Sequence, residues 1–451
     1  MTRVNNRPFF AVAALCIALW LPAAVRAQSG SSINVFSPYS AYGVGEVNTP
    51  GSLASRSLGG TGVAQRSVST VNLLNPAAYS ATLSRSMLFS LSLEGGGYYN
   101  SQKQPDGSMA RTSYNTVNFH DIALQFSIAK GLGIGFSLTP YSSVGYRFYD
   151  RQILGNVGLA EYDYTGDGDV TEVKLGAGWE IFKNFSIGVA AQYYWGDIER
   201  TYTTTIYPYT DTGSYPTVAG SSNYSISRIK GQVGLQYAPI LNRRRILSIG
   251  ATYDFGGNLE PRVTEKIYAS TGGGYLQTIS KDETGHLPLL LPHKLTVGLF
   301  YETNRFSVGV DYDYQDWEAR NSRGVQLAGG GFEVAYCNTH TLRAGVEWTP
   351  NRNDVRQFIR RMHYRLGANY GNYHQQFDGR KLPQYAVTLG VGIPVRFGGF
   401  SSIDVGVEYG CRGTHEIIAQ SVGIVKQHYV RFAIGFSFFG DDYWFVRPKY
   451  D

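Results

Sequence analysis

The chain has 451 residues with 34 Tyr, 23 Phe and 54 Gly, and only 16% of its residues are charged. That is too aromatic and too weakly charged for a disordered chain. Lys and Arg number 40 against 34 Asp and Glu, a net +6 with no basic stripe able to neutralise a row of phosphates, which argues against nucleic acid as a partner. Cys16, Cys337 and Cys411 show no CxxC spacing, so neither a disulfide framework nor a four-ligand zinc site is available.

In chain order, Arg3 and Arg7 precede the apolar run from Phe9 to Val25, and Val25-Arg26-Ala27 puts small residues where a signal peptidase reads. The expectation is a cleaved signal peptide over 1–27 and a mature chain beginning at Gln28. Cys16 lies inside the apolar run and is discarded with it. After Val25 no apolar stretch approaches the roughly 18 residues of a spanning helix, so the exported protein is either soluble or a β-barrel.

Residues 28–85 lack strand periodicity but are not a low-complexity linker. They carry Leu58-Gly59-Gly60-Thr61-Gly62-Val63-Ala64 and Asn75-Pro76-Ala77. The glycine run has no following Lys-Ser/Thr and no preceding strand, which removes a phosphate cradle. In front of a barrel, such a segment either folds below it or packs inside it as a plug.

From Met87 onward hydrophobicity alternates with period two. In Phe306 to Gln315 one face carries Phe306, Val308, Val310, Tyr312 and Tyr314, and the other Ser307, Gly309, Asp311, Asp313 and Gln315. Strands are predicted near 87–98, 118–129, 131–145, 170–182, 184–200, 224–237, 246–255, 292–302, 305–318, 339–349, 363–373, 384–396, 402–411 and 428–439, an even number as a single-chain barrel requires. Even-numbered connections such as Lys130-Gly131, Lys183-Asn184 and Thr303-Asn304 are tight, while odd-numbered ones are mostly long. The tenth, Pro350 to Met362, is longer than its class predicts. A soluble sandwich has no reason to alternate loop length by parity, so the fold class is all-β: a 14-stranded antiparallel transmembrane β-barrel over 86–440 with an N-terminal plug over 28–85.

Parity then assigns the faces. The lumen receives glycines such as Gly188, Gly345 and Gly367, and the charges Glu94, Asp121, Lys174, Glu180, Lys230, Asp311, Asp313, Arg343, Glu347, Arg365, Asp404, Glu408 and Arg431. A mixed-sign set of this kind forms a supporting network more often than an active site. Strand-end aromatics including Tyr98, Trp317, Trp348 and Tyr409 are read as an interfacial girdle. The acidic turn Asp163 to Asp169 lacks EF-hand spacing, and the eight histidines include no HExxH. No catalytic residue, metal or cofactor is assigned. Cys337 and Cys411 either pair or stay free thiols.

The motifs Leu58 to Ala64, Asn75-Pro76-Ala77, Leu291 to Gly298, Asp311 to Trp317 and Arg343 to Pro350 resemble, in order and spacing, the FadL-type outer-membrane transporters of hydrophobic compounds. The resemblance implies a fourteen-stranded barrel closed by an N-terminal hatch that includes Gly59, Gly60, Gly62, Asn75, Pro76 and Ala77. It also implies outer-membrane lipid and a hydrophobic small molecule as partners and passive uptake; the lack of a catalytic constellation and of a nucleotide motif points to no enzymatic activity and no cofactor. The chain departs from better-known members at its end, where Trp444, Phe445, Arg447, Lys449 and Tyr450 lie in a tail over 441–451. Members of the wider family also serve as scaffold or shuttle subunits of secretion machinery. The tail therefore supports an alternative, a non-transporting subunit docked to other outer-membrane or periplasmic proteins.

Overall fold

The computed structural model describes residues 35–84, 86–104, 106–155, 157–209, 215–242, 245–271, 275–282, 289–318, 334–395, 401–418 and 422–441. The expected signal peptide and Trp444, Phe445, Arg447, Lys449 and Tyr450 lie outside the described residues.

The wall is built from β1 Ser86–Lys103, β2 Met109–Ala129, β3 Leu132–Leu154, β4 Gly158–Phe182, β5 Phe185–Pro208, β6 Thr217–Tyr237 and β7 Arg245–Asp254. It continues with β8 Lys294–Thr303, β9 Phe306–Gln315, β10 Thr339–Trp348, β11 His363–Phe377, β12 Arg380–Pro394, β13 Ser402–Arg412 and β14 Val425–Asp441. Each pairs antiparallel with its sequence neighbours, and β1 closes on β14 from Ser86↔Asp441 to Gln102↔Val425. Every predicted strand is present. Strands β7 to β10 have 10 residues each, about 33 Å along the strand and, at a barrel tilt near 40°, about 25 Å of height, which is the apolar band of an outer membrane.

Burial decides which way the alternation faces. Leu295, Val297, Leu299, Val308, Val310, Leu342, Val346, Leu366 and Leu389 are exposed, while Gln125, Lys174, Gln232, Asp311, Arg365 and Asp404 are buried. A water-soluble sandwich would invert this. An apolar surface around a polar interior is stable only where the surroundings are hydrocarbon.

Three expectations are corrected. Tyr98 (3% exposed) and Trp317 (2% exposed) belong to interior clusters and not to a girdle, because each follows the inward parity of its strand, Tyr98 with Ser90 and Ser92 and Trp317 with Asp311 and Asp313. Asp163 to Asp169 is no turn: it lies within β4, paired to both β3 and β5. The connections read as long loops at 99–117, 146–169 and 201–223 are largely extensions of the strands beyond the wall, because Thr, Tyr and Val there favour extended backbone. Cys337 and Cys411 are free and buried.

Residues 35–84 run along the inward face of the wall as short pieces: a 3-10 turn Pro38–Ala41, a two-residue strand Glu46–Val47, a helical turn Leu53–Arg56 and a 3-10 turn Pro76–Ala81. Irregular backbone at membrane depth persists only when protein groups satisfy it. The wall supplies them.

Candidate functional site

A belt of small residues lets the N-terminal segment approach the wall. Gly135 pairs with Gly176, Gly178 with Gly188, Gly188 with Gly234, Gly250 with Gly298, Gly309 with Gly345, Gly345 with Gly367, and Gly390 with Gly406. At Gly188 a side chain would collide with the backbone of Pro76 and Ala77, and at Gly367 with the backbone of Leu58 and Gly59. Those are residues of the two motifs singled out in the sequence.

Inward side chains then bond the segment's backbone. Gly59 and Gly60 take φ of 73° and 83°, open to glycine and strained for other residues. The turn they make aims the Gly62 and Val63 amides at one carboxylate oxygen of Asp311, at 2.7 and 3.0 Å. Asn75 caps the Pro76 turn by accepting from Ala77 N at 3.0 Å, while its amide donates to Val63 O at 2.9 Å and to Leu235 O in β6 at 3.1 Å. Lys174 donates to Leu73 O at 3.0 Å, Gln232 to Leu74 O at 3.2 Å and Gln236 to Val63 O at 2.9 Å. Gln232 and Gln236 were not picked out in the sequence, where an uncharged inward residue gives no signal beyond its parity.

The remaining predicted charges fall into groups. Glu46 and Arg56 of the segment meet Glu94, Glu408, Arg412 and Arg431 of the wall: Glu46 pairs with Arg412 and Arg431 at 3.0 Å each, and Arg56 with Glu408 at 2.9 Å and with Glu94. Three carboxylates face three guanidiniums, so the cluster is electrically balanced although buried. Burial opposes ionisation of Glu46, yet Arg412 and Arg431 outweigh it and hold the carboxyl below its ordinary value. Arg365 bridges Glu347 at 2.8 Å and Asp404 at 2.5 Å, and Arg343 pairs with Asp313. Glu180 holds Arg66 of the segment at 2.8 Å. Asp121 accepts from Ser90 at 2.8 Å and from Ser92. Lys230 bonds Asn258 O at 2.9 Å, on a connection and away from the segment.

Between the segment and the wall lies a cavity of about 190 Å³, lined by Val47 to Gly51, Leu73 and Leu74 on one side and by Glu172, Lys174, Gln192, Tyr194, Asp254, Phe255, Lys294, Trp317, Arg343 and Tyr373 on the other. Buried Gln192 Oε1, Gln232 Oε1 and Tyr373 Oη have no hydrogen-bond partner among the described residues. Toward the long-loop end Tyr39 and Tyr42 join Tyr146, Trp317, Tyr336, Tyr373 and Phe377 in an aromatic cluster. Arg412 sits 4.2 Å above the Tyr373 ring, joining this cluster to the charged one.

The wall is broken beside the cavity. The β2–β3 ladder runs from Ala129↔Leu132 to Ile122↔Leu138. Above it the edge of β3 takes Glu46 and Val47, opposite Ser143 and Ser142. Pro140, which has no N–H to offer a neighbour, sits at the break beside a register shift toward β4. Asn48 covers it, its amide N bonding Tyr141 O at 2.9 Å and its side chain Pro140 O at 3.2 Å. Sequence reading took this stretch as uninterrupted strand. A proline inside an alternating run was the available signal.

Residues 10–451 match the family BamG. The chain belongs to the BamG family. No curated protein matches it. Among solved structures this BamG-family chain is similar to the Pseudomonas putida toluene transporter TodX, at 16% identity and TM-score 0.56, covering 85% of this chain and 97% of that one. It is also similar to a Pseudomonas aeruginosa FadL homologue, at 13% identity and TM-score 0.59, covering 88% and 99%, and to the Ralstonia pickettii toluene transporter TbuX, at 15% identity and TM-score 0.56, covering 86% and 97%. The likeness is one of fold, and it bears out the FadL-type resemblance read from the sequence.

Proposed function

We propose that this chain is an outer-membrane barrel for passive uptake of a hydrophobic or amphipathic small molecule, with residues 28–85 acting as its plug. The observation that carries the reading is the juxtaposition of cavity and wall break: a pocket with aromatic and charged walls lies next to a strand edge that, among the described residues, the N-terminal segment covers. Tyr194, Phe255, Trp317 and Tyr373 suit an apolar body. The unpartnered oxygens of Gln192 and Gln232 suit a polar end, so an amphipathic ligand fits better than a pure hydrocarbon. The fold neighbours named as toluene transporters support the class of activity. Residues 1–27 are a signal peptide cleaved on export, and both barrel ends of the chain, with the tail 441–451, face the periplasm.

The ligand enters at the long-loop end, rests against the segment and leaves sideways between β2 and β3 or through a shift of the segment. Movement down a gradient needs no cofactor, and no step makes or breaks a covalent bond. Proteoliposomes bearing the protein should take up a long-chain fatty acid or an aromatic hydrocarbon several-fold faster than empty ones. Equal rates across a broad panel would refute the transport reading.

One observation favours a second reading, a non-transporting subunit of an outer-membrane complex. The balanced cluster around Glu46 and Arg56 ties the segment to β1, β13 and β14 with buried ion pairs, which resist displacement. In that case the tail residues Trp444, Phe445, Arg447, Lys449 and Tyr450 dock a partner. A mild-detergent pull-down of the full chain against one ending at Gly440 distinguishes the two.

A further inference from the structure

We propose that the connection between β10 and β11, residues 349–362, is an anchor that binds the headgroup surface of an anionic phospholipid leaflet. The inference uses the barrel's orientation in the membrane and is independent of transport. Turns at this end between Phe182 and Phe185 and between Thr303 and Phe306 take two residues each, so closing the wall does not require this length.

The connection leaves the wall beside a lipid-facing aromatic row. Phe306 stacks on Trp348 at 6.4 Å, and Trp348 contacts Tyr364 at 5.7 Å. These rings share the outward face with Val308, Val346 and Leu366. Tyr364 Oη donates to Ile359 O at 3.1 Å, which ties the Phe358–Arg361 end of the connection to the outside of the wall, while Arg352 at its other end reaches the inward Glu302 and Glu347. Rings in that position mark the boundary between acyl chains and headgroups.

At this boundary the connection exposes Val355 (82%), Ile359 (61%) and Phe358 (39%). Four arginines accompany them, Arg352, Arg356, Arg360 and Arg361, with Asp354 the one acid among residues 349–362. Arg360 pairs with Asp354 at 3.5 Å, and Arg352 lies 3.7 and 3.8 Å from Glu302 and Glu347. Arg356 and Arg361 have no carboxylate partner among the described residues, and Arg361 lies 5.3 Å over the Phe358 ring. Exposed apolar side chains interleaved with uncompensated guanidiniums are poorly placed in water. At the edge of a bilayer the apolar groups enter the acyl boundary while the guanidiniums bond phosphodiesters. The charge selects an anionic leaflet, each basic residue being worth about a fivefold gain in affinity for such a surface.

The test uses the full-length protein in nanodiscs of equal phosphatidylglycerol and phosphatidylcholine, with retained lipid identified by native mass spectrometry during stepwise delipidation. Wild type should retain phosphatidylglycerol preferentially, R356Q/R361Q should lose that preference several-fold, and R356K/R361K should keep much of it. Heat-modifiable migration confirms that each variant barrel is folded. A nitroxide on V355C, with Cys337 and Cys411 replaced by Ser, reports depth without altering the arginines. In phosphatidylglycerol vesicles it should be immersed at headgroup level, reachable by oxygen more than by a water-soluble relaxant. Equal lipid retention in wild type and R356Q/R361Q, or a label in bulk water, overturns the proposal; the second result would leave the surface to an acidic protein.

Discussion

Glu46 shows how one side chain joins the N-terminal segment to the barrel. Its backbone lies on the β3 edge opposite Ser143, and its carboxylate lies between Arg412 and Arg431. Replacing one partner of a buried pair costs about 3–5 kcal/mol because the other is left uncompensated. E46Q should therefore loosen the segment while leaving the barrel closed, seen as faster hydrogen exchange over 35–60 with unchanged heat-modifiable migration. Glu46 belongs to the segment and to no spanning strand. Its lowered pKa means that its contribution is fully present above the ordinary value of 4.5 and is lost as pH falls through the lower folded value. Protection over the same residues, corrected for the intrinsic exchange rate at each pH, should fall in wild type as the pH drops below 4.5, and this step should be blunted in E46Q. Gly188 makes the complementary prediction. G188V forces a side chain into the Pro76-Ala77 backbone, at roughly 1–3 kcal/mol for overpacking, so thermal unfolding in detergent should begin at lower temperature. An unchanged melt would mean the segment does not press on the wall there. Parity alone located these glycines and the inward charges, because side-chain direction follows from period two. It could not say which charge meets which, since Glu46 and Arg431 are 385 residues apart in sequence.

At the scale of elements, strand number was readable and strand ends were not. Alternation marks the part of a strand that lies in hydrocarbon; beyond the membrane both faces are wet, the pattern fades, and β3 to β6 continue regardless on the β propensity of Thr and Tyr. Interior aromatics misled because Trp317 and Tyr98 stand at strand ends like girdle residues, although they share the inward parity of Asp313 and Glu94. The β2–β3 break was hidden because one proline looks tolerable in an otherwise regular run. Topology is open to direct test. Protease added to intact cells should cut within the long connection 256–291 and spare the turn at Lys183-Asn184, and the opposite pattern would reverse the barrel's orientation.

The whole molecule is a wall whose inward face carries its own N-terminal segment, with part of the polar interior bonding that segment's backbone and part paired charge to charge. Asp311, Lys174, Gln232 and Gln236 each bond segment backbone. The proposed ligand would take the cavity beside the break. If the molecule passes small compounds, the Glu46–Val47 strand must move relative to β3, or the ligand must slip past it. The most direct measurement joins these two strands reversibly. Val47 and Ser142 are register partners, so V47C/S142C should form a disulfide under oxidant that fixes the segment to the β3 edge. Uptake of a long-chain fatty acid by proteoliposomes should fall several-fold on oxidation and recover on reduction, with wild type unaffected by either treatment. Uptake equal to that of empty liposomes in every state, or equal rates in the locked and reduced protein, would contradict the account.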